Sequence, residues 1–156
     1  MDLFSLFEAC ERTWVGDTIR QSIWLFPAIE AVHLLALGLL GGAVLMLDLR
    51  LLGVGLTSPT PSQLERQTRP WAVAAVVAMV FTGSVLFMSE ALKLYASTPF
   101  RIKMATLLVV LIYTFAVRNP FARRATGVTA LSRLVAGVSM LLWLVVAMAG
   151  RWIGFS

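Results

Sequence analysis

Glu30 and His33 stand inside a long apolar segment near the start of the chain. Their spacing of three residues places them on one face of a helix. Ionisable groups are costly at membrane depth, so they usually face the interior of a bundle and often mark function. The alternative is a purely structural imidazole, hydrogen-bonded to Glu30 or to a backbone carbonyl. His33 is the only histidine of the chain and is the centre of the predicted site.

The first chemistry that His33 could perform is haem binding. An imidazole can ligate haem iron axially, and cationic side chains at the same depth can pair with haem propionates. A single histidine excludes bis-histidine ligation within one chain, so methionine, lysine, water or another chain would supply the sixth ligand. This interpretation predicts a haem b protein with a redox role, which could exchange electrons with quinone. The cations expected at this level are Arg101, Lys103 and Arg151.

The second chemistry is copper binding, because thioether and imidazole ligands select Cu(I). Met88, Met104 and Met148 each lie about one helical turn from the same end of their segments, and His33 lies deeper. This register suits an ion that enters from that side and predicts a copper-handling or transport protein. Methionine is also a common flexible packing residue of apolar helices, so ordinary packing is the competing interpretation.

Four long apolar segments must position these residues. The chain has 156 residues, of which 59% are hydrophobic and 13% charged, whereas soluble domains have about 25% charged residues. Each segment is close to the ~20 residues that cross hydrocarbon. We therefore predict an all-α, single-domain integral membrane four-helix bundle, with a short amphipathic interfacial helix over residues 3–14. The predicted spans are about 23–49, 70–94, 99–117 and 131–152, with Pro70 in the first turn of the second span.

The net charge of +5 comes from basic residues at the ends of the apolar segments. No basic face exists outside these flanks, which argues against nucleic-acid binding. The loops after the first and third spans hold seven lysine or arginine residues, against six on the other side. This small excess predicts cytoplasmic loops and periplasmic termini. We expect the cytoplasmic half to contain mostly apolar packing with arginine anchors.

Gly38 and Gly42 form a Gly-x-x-x-Gly face on the first span. Such faces allow close helix approach, within a bundle or between protomers. A third interpretation is therefore a non-catalytic structural subunit, either in a homo-oligomer or in a larger membrane complex. None of these residues defines a reaction, so enzyme status stays open.

Two runs resemble known families. The run Ser97-Thr-Pro-Phe-Arg-Ile-Lys-Met-Ala-Thr-Leu-Leu, continuing to Ala116-Val-Arg-Asn-Pro, resembles a stretch of the CopD copper-resistance membrane domain, with Lys103 at its early lysine. The run His33-Leu-Leu-Ala-Leu-Gly-Leu-Leu-Gly-Gly resembles the His-then-Gly pattern of CopD and of HemJ-type protoporphyrinogen oxidases. The whole chain is also similar to an uncharacterised group of short bacterial four-span proteins. The resemblance implies a bacterial inner-membrane unit that handles haem or copper near the periplasmic face, through His33 and Lys103.

Overall fold

The computed structural model describes residues 3–55 and 58–153, and within these ranges the chain is helical and contains no strand. This confirms the all-α prediction. Four helical stretches are long and apolar enough to cross a membrane: Leu25–Leu52, Pro61–Ser89, Thr98–Arg124 and Ala130–Trp152. The elements are α1 (Leu3–Glu11), α2 (Trp14–Gln21), α3 (Leu25–Leu52), α4 (Pro61–Ser89), α5 (Ala91–Ala96), α6 (Thr98–Ile112), a π-helical segment (Tyr113–Arg118), α7 (Asn119–Arg124) and α8 (Ala130–Ile153).

The first span, α3, is the centre of the bundle. It packs against both α4 and α8, and α8 in turn packs against α6. Leu40 and Leu47 of α3 are 2% exposed and lie in the core. Leu35 and Phe81 are 74% and 71% exposed. Large apolar side chains that cover the outside of every span require hydrocarbon as their solvent, so the chain is a multi-pass membrane protein.

The second span begins upstream of the predicted start, because α4 begins at Pro61. Thr60 and Gln63 form a capping box, in which the Gln63 N–H donates to Thr60 Oγ1 at 3.3 Å and the Thr60 N–H donates to Gln63 Oε1 at 3.0 Å. Pro61 occupies the first turn, where a missing N–H costs nothing. Pro70 consequently lies inside the helix and removes one backbone hydrogen bond there. Residues 61–69 are mostly polar, so hydropathy alone does not predict that the helix extends over them.

The N-terminal segment forms two helices where the sequence predicts one. Thr13 separates them, because its Oγ1 accepts from the Gly16 N–H at 3.2 Å and caps α2. Helix α1 packs on α5, and α2 packs on α4. The Phe7 ring makes edge contacts with Phe87 and Tyr95 at 5.2 and 5.1 Å between ring centroids. The segment is therefore docked onto the bundle, at the end of α4.

The third span is a continuous helical stretch with a π-helical segment inside it. A π-helix has a wider turn than an α-helix and often occurs at functional sites. Here it places Thr114 and Arg118 on one side, and both are buried at 2% exposure. The predicted end at residue 117 thus falls inside the segment that carries a polar cluster.

Candidate functional site

Polar side chains collect at two levels of the bundle. We call the level of His33, with the ends of α4 and α8 and the start of α6, the His33 end. We call the opposite level the arginine-rich end. Seven arginines lie there: Arg50, Arg66, Arg69, Arg118, Arg123, Arg124 and Arg133.

The imidazole of His33 is half-buried and faces α4, where its Nδ1 lies 2.7 Å from Thr82 Oγ1. The Thr82 hydroxyl donates to the backbone oxygen of Ala78 at 2.7 Å. Because this bond uses the one hydroxyl proton, Nδ1 of neutral His33 must carry the N–H and donate to Thr82. Nε2 then carries the lone pair. In this tautomer Nε2, and not Nδ1, is the ring nitrogen able to bind a metal ion.

Gly83 and Gly150 lie beside the side chains of His33 and Lys103. A Cβ at Gly83 would lie 3.3 Å from Cε1 of His33, and a Cβ at Gly150 would lie 3.7 Å from Cε of Lys103. The His33 imidazole of α3 thus lies against α4, and the Lys103 side chain of α6 lies against α8.

The other charged residues predicted for this site lie on its outside. Glu30, Arg101 and Arg151 are all exposed. Nη2 of Arg101 donates to Thr98 Oγ1 at 3.2 Å, one turn away on its own helix. These side chains could therefore contact a ligand only at the edge of the site, and not from inside the bundle.

The predicted methionine ligands are not gathered inside the bundle. Met104 and Met148 are 46% and 57% exposed, and Met88 is half-buried. A group of three or more histidine, cysteine, aspartate or glutamate residues that could hold a metal ion is also missing from the part of the chain that the structure describes. In this arrangement the His33 imidazole faces α4, and the three methionine side chains do not converge on it.

A second polar cluster, which the sequence analysis did not identify, lies at the arginine-rich end. Asp48 and Arg118 are 0% and 2% exposed. Nε of Arg118 donates to Asp48 Oδ1 at 2.5 Å, Nη2 to the Val44 oxygen at 2.6 Å and Nη1 to Asn119 Oδ1 at 3.1 Å. Ser139 Oγ donates to Asp48 Oδ2 at 2.8 Å. The pair is thus buried and hydrogen-bonded on both sides, and it ties α3, the π-helical segment and α8 together.

A further ion pair lies beside this cluster. Nε of Arg123 donates to Glu65 Oε1 at 3.0 Å, and the Glu65 side chain is 1% exposed. Ser132 Oγ donates to the Leu51 oxygen at 2.8 Å and joins α8 to α3. This half therefore combines apolar packing around Leu47, Leu51 and Leu64 with a buried polar network that the sequence analysis did not predict. Opposite charges at similar depths of the first and third spans, Asp48 and Arg118, were the sequence signal for this cluster.

The tautomer of His33 can be tested directly, because the chain has one histidine. In protein labelled with ¹⁵N-histidine, we expect NMR to show a protonated Nδ1 and an unprotonated Nε2. Thr82→Val removes the acceptor and should mix the two tautomers. Ser84→Ala is a matched control, because Ser84 donates to Val80 at 2.7 Å on an exposed face. A protonated Nε2 in the unchanged protein would contradict the assignment.

The four spans and their two polar levels define a multi-pass helical membrane protein. The chain belongs to a family of unknown function, DUF6644, whose model matches residues 5–156. No curated protein and no solved structure matches it. A function must therefore be inferred from the side chains themselves.

Proposed function

We propose that His33 binds the iron of haem b, and that the protein has a redox role in the bacterial inner membrane, with quinone as an electron partner. The observation that supports this proposal is the hydrogen bond from His33 Nδ1 to Thr82, at 2.7 Å. Metal-ligating histidines commonly donate their other ring N–H to a nearby acceptor, which fixes the ring and leaves a lone pair for the metal.

The neighbouring residues fit this role. Thr82 orients the imidazole. Because Gly83 has no side chain, the ring can pack closely against α4, and a Cβ at residue 83 would lie 3.3 Å from Cε1 of His33. Lys103 supplies a positive charge suited to a propionate carboxylate. When bound, haem would supply one-electron chemistry. The exposed Arg101 and Arg151 provide further cations at the rim.

The proposed orientation has both termini in the periplasm. Its support is the small excess of basic residues in the two loops at the arginine-rich end, seven against six. The resemblance of the His33 and Lys103 runs to CopD and HemJ-type proteins agrees with a site near the periplasmic face. In this orientation His33 lies nearer the periplasm and the Asp48–Arg118 pair nearer the cytoplasm.

An absorption spectrum tests the haem proposal. Protein purified in mild detergent from haem-replete cells should show a Soret band, which His33→Ala abolishes. Thr82→Val should weaken haem binding by about 10–100-fold, as changes beside metal ligands do. A variant with Met104→Leu and Met148→Leu should keep the band, since both side chains are largely exposed.

Other results would favour the competing functions. Absence of a Soret band in the unchanged protein would overturn the haem proposal. Bound copper that is lost in the methionine variant would indicate the CopD-like copper-handling role instead. A fixed protein partner without any cofactor would indicate a structural subunit. One observation favours that role: a Cβ at Gly38 or Gly42 would meet nothing within 4 Å, so this face does not hold the bundle itself together.

A further inference from the structure

Three buried polar atoms have no hydrogen-bond partner in the described part of the chain. They are Glu65 Oε2, Thr114 Oγ1 and Trp143 Nε1. Glu65 and Thr114 are 1% and 2% exposed. A buried polar atom without a partner costs about 1–3 kcal/mol, so three such atoms need an explanation.

The three residues line one small cavity between α3, α4, the π-helical segment and α8. The cavity leaves about 10 Å³ for the centre of a water molecule, close to the ~10–15 Å³ that one ordered water requires. Arg118 and Asn119 also line it. The three unpartnered atoms and the Asp48–Arg118 pair therefore belong to one polar region.

The chemistry of the lining selects the kind of occupant. Trp143 Nε1 can only donate a hydrogen bond, an ionised Glu65 Oε2 can only accept one, and Thr114 Oγ1 can do both. A cation would face the indole N–H together with Arg69 and Arg118 of the lining, and an anion would face the Glu65 carboxylate. A neutral molecule that both donates and accepts, and that fits this volume, is water.

Glu65 also lines an open cleft of about 720 Å³ at the arginine-rich end, together with Arg66, Arg69 and Arg123. Its Oε1 accepts from Arg123, whose side chain is 43% exposed, while Oε2 has no described partner. Glu65 and Arg69 therefore line both the cavity and the cleft.

We infer that the cavity is a binding site for one water molecule, which bridges Glu65, Thr114 and Trp143. This water extends the polar network from the cleft, through Glu65, to the region of the buried Asp48–Arg118 pair. It exchanges with solvent on the side of the cleft. The inference is independent of haem or copper at the His33 end.

Trp143 is the reporter for this water. In protein labelled with ¹⁵N-tryptophan, we expect a cross-peak between water and the Trp143 indole N–H, assigned by its loss in Trp143→Phe. Thr114→Val removes one ligand of the water and should lower this cross-peak by about fivefold, the effect of one lost hydrogen bond. The other tryptophans, Trp14, Trp24, Trp71 and Trp152, are more than half exposed and serve as internal references.

Thr68→Val is the matched control. Thr68 lines the same cavity, but its hydroxyl already donates to the Leu64 oxygen at 2.9 Å, so the cross-peak should persist. A dry Trp143 N–H in the unchanged protein, with water contacts at the four reference indoles, would overturn the inference. An equal loss in both threonine variants would also overturn it, because the effect would then come from packing.

Discussion

Asp48→Ala is expected to lower the free energy of unfolding by about 3–5 kcal/mol, the usual effect of breaking a buried ion pair by removing one partner. Arg118 would keep its charge at 2% exposure with only the Val44 and Asn119 oxygens as acceptors. Ser139 would lose its acceptor as well. Denaturant unfolding in mixed micelles, followed by near-ultraviolet circular dichroism, measures this loss.

The double variant Asp48→Leu with Arg118→Met separates charge from packing. It removes both charges and replaces them with apolar side chains of similar length, which is often neutral or stabilising for buried pairs. We expect the double variant to be more stable than Asp48→Ala. Arg124→Gln, at an exposed position of the same end, should change stability by less than about 0.5 kcal/mol. A double variant as unstable as the single one would show that the two charges are not coupled.

The four spans could be predicted because hydropathy and length dominate the choice of membrane-crossing segments. The observed span ends differ from the predicted ones where local sequence signals, such as helix caps, oppose hydropathy. Thr60, Pro61 and Gln63 start α4 in a polar stretch by capping. The π-helical segment at Tyr113–Arg118 has no simple sequence signature.

Some residues of the candidate sites can be predicted from the sequence, and others cannot. His33 and Lys103 stand out in the sequence because a titratable residue inside an apolar run is unusual. Thr82 could not be chosen in advance, because threonine is common in apolar helices and the register of α4 against α3 decides its role. Asp48 and Arg118 are visible in the sequence as charges near the ends of the first and third apolar segments. Their pairing required knowledge that the two helix ends meet.

Gly16→Ala is expected to displace α2 from the end of α4. A Cβ at residue 16 would lie 2.6 Å from the Met88 oxygen and 2.9 Å from the Glu11 oxygen. Both are backbone atoms, so the clash can be relieved only by moving a helix, at a cost of about 1–3 kcal/mol. The hydrogen bond from the Leu92 N–H to Glu11 Oε2, at 2.6 Å, should weaken when α2 is displaced. Faster protease cleavage within residues 3–21 and a lower Tm would report the displacement.

Gly41→Ala is the matched control for this effect. A Cβ at Gly41 would meet nothing within 4 Å, and alanine is about 0.5–1 kcal/mol better than glycine inside a helix. This variant should therefore be unchanged or slightly more stable, with normal protease resistance at the N-terminus. If both glycine variants behaved alike, the close approach of α2 to Met88 would not be what holds the N-terminal helices on the bundle. If Gly16→Ala alone makes the N-terminal helices accessible to protease, the docking of α2 depends on the absence of a side-chain carbon at residue 16.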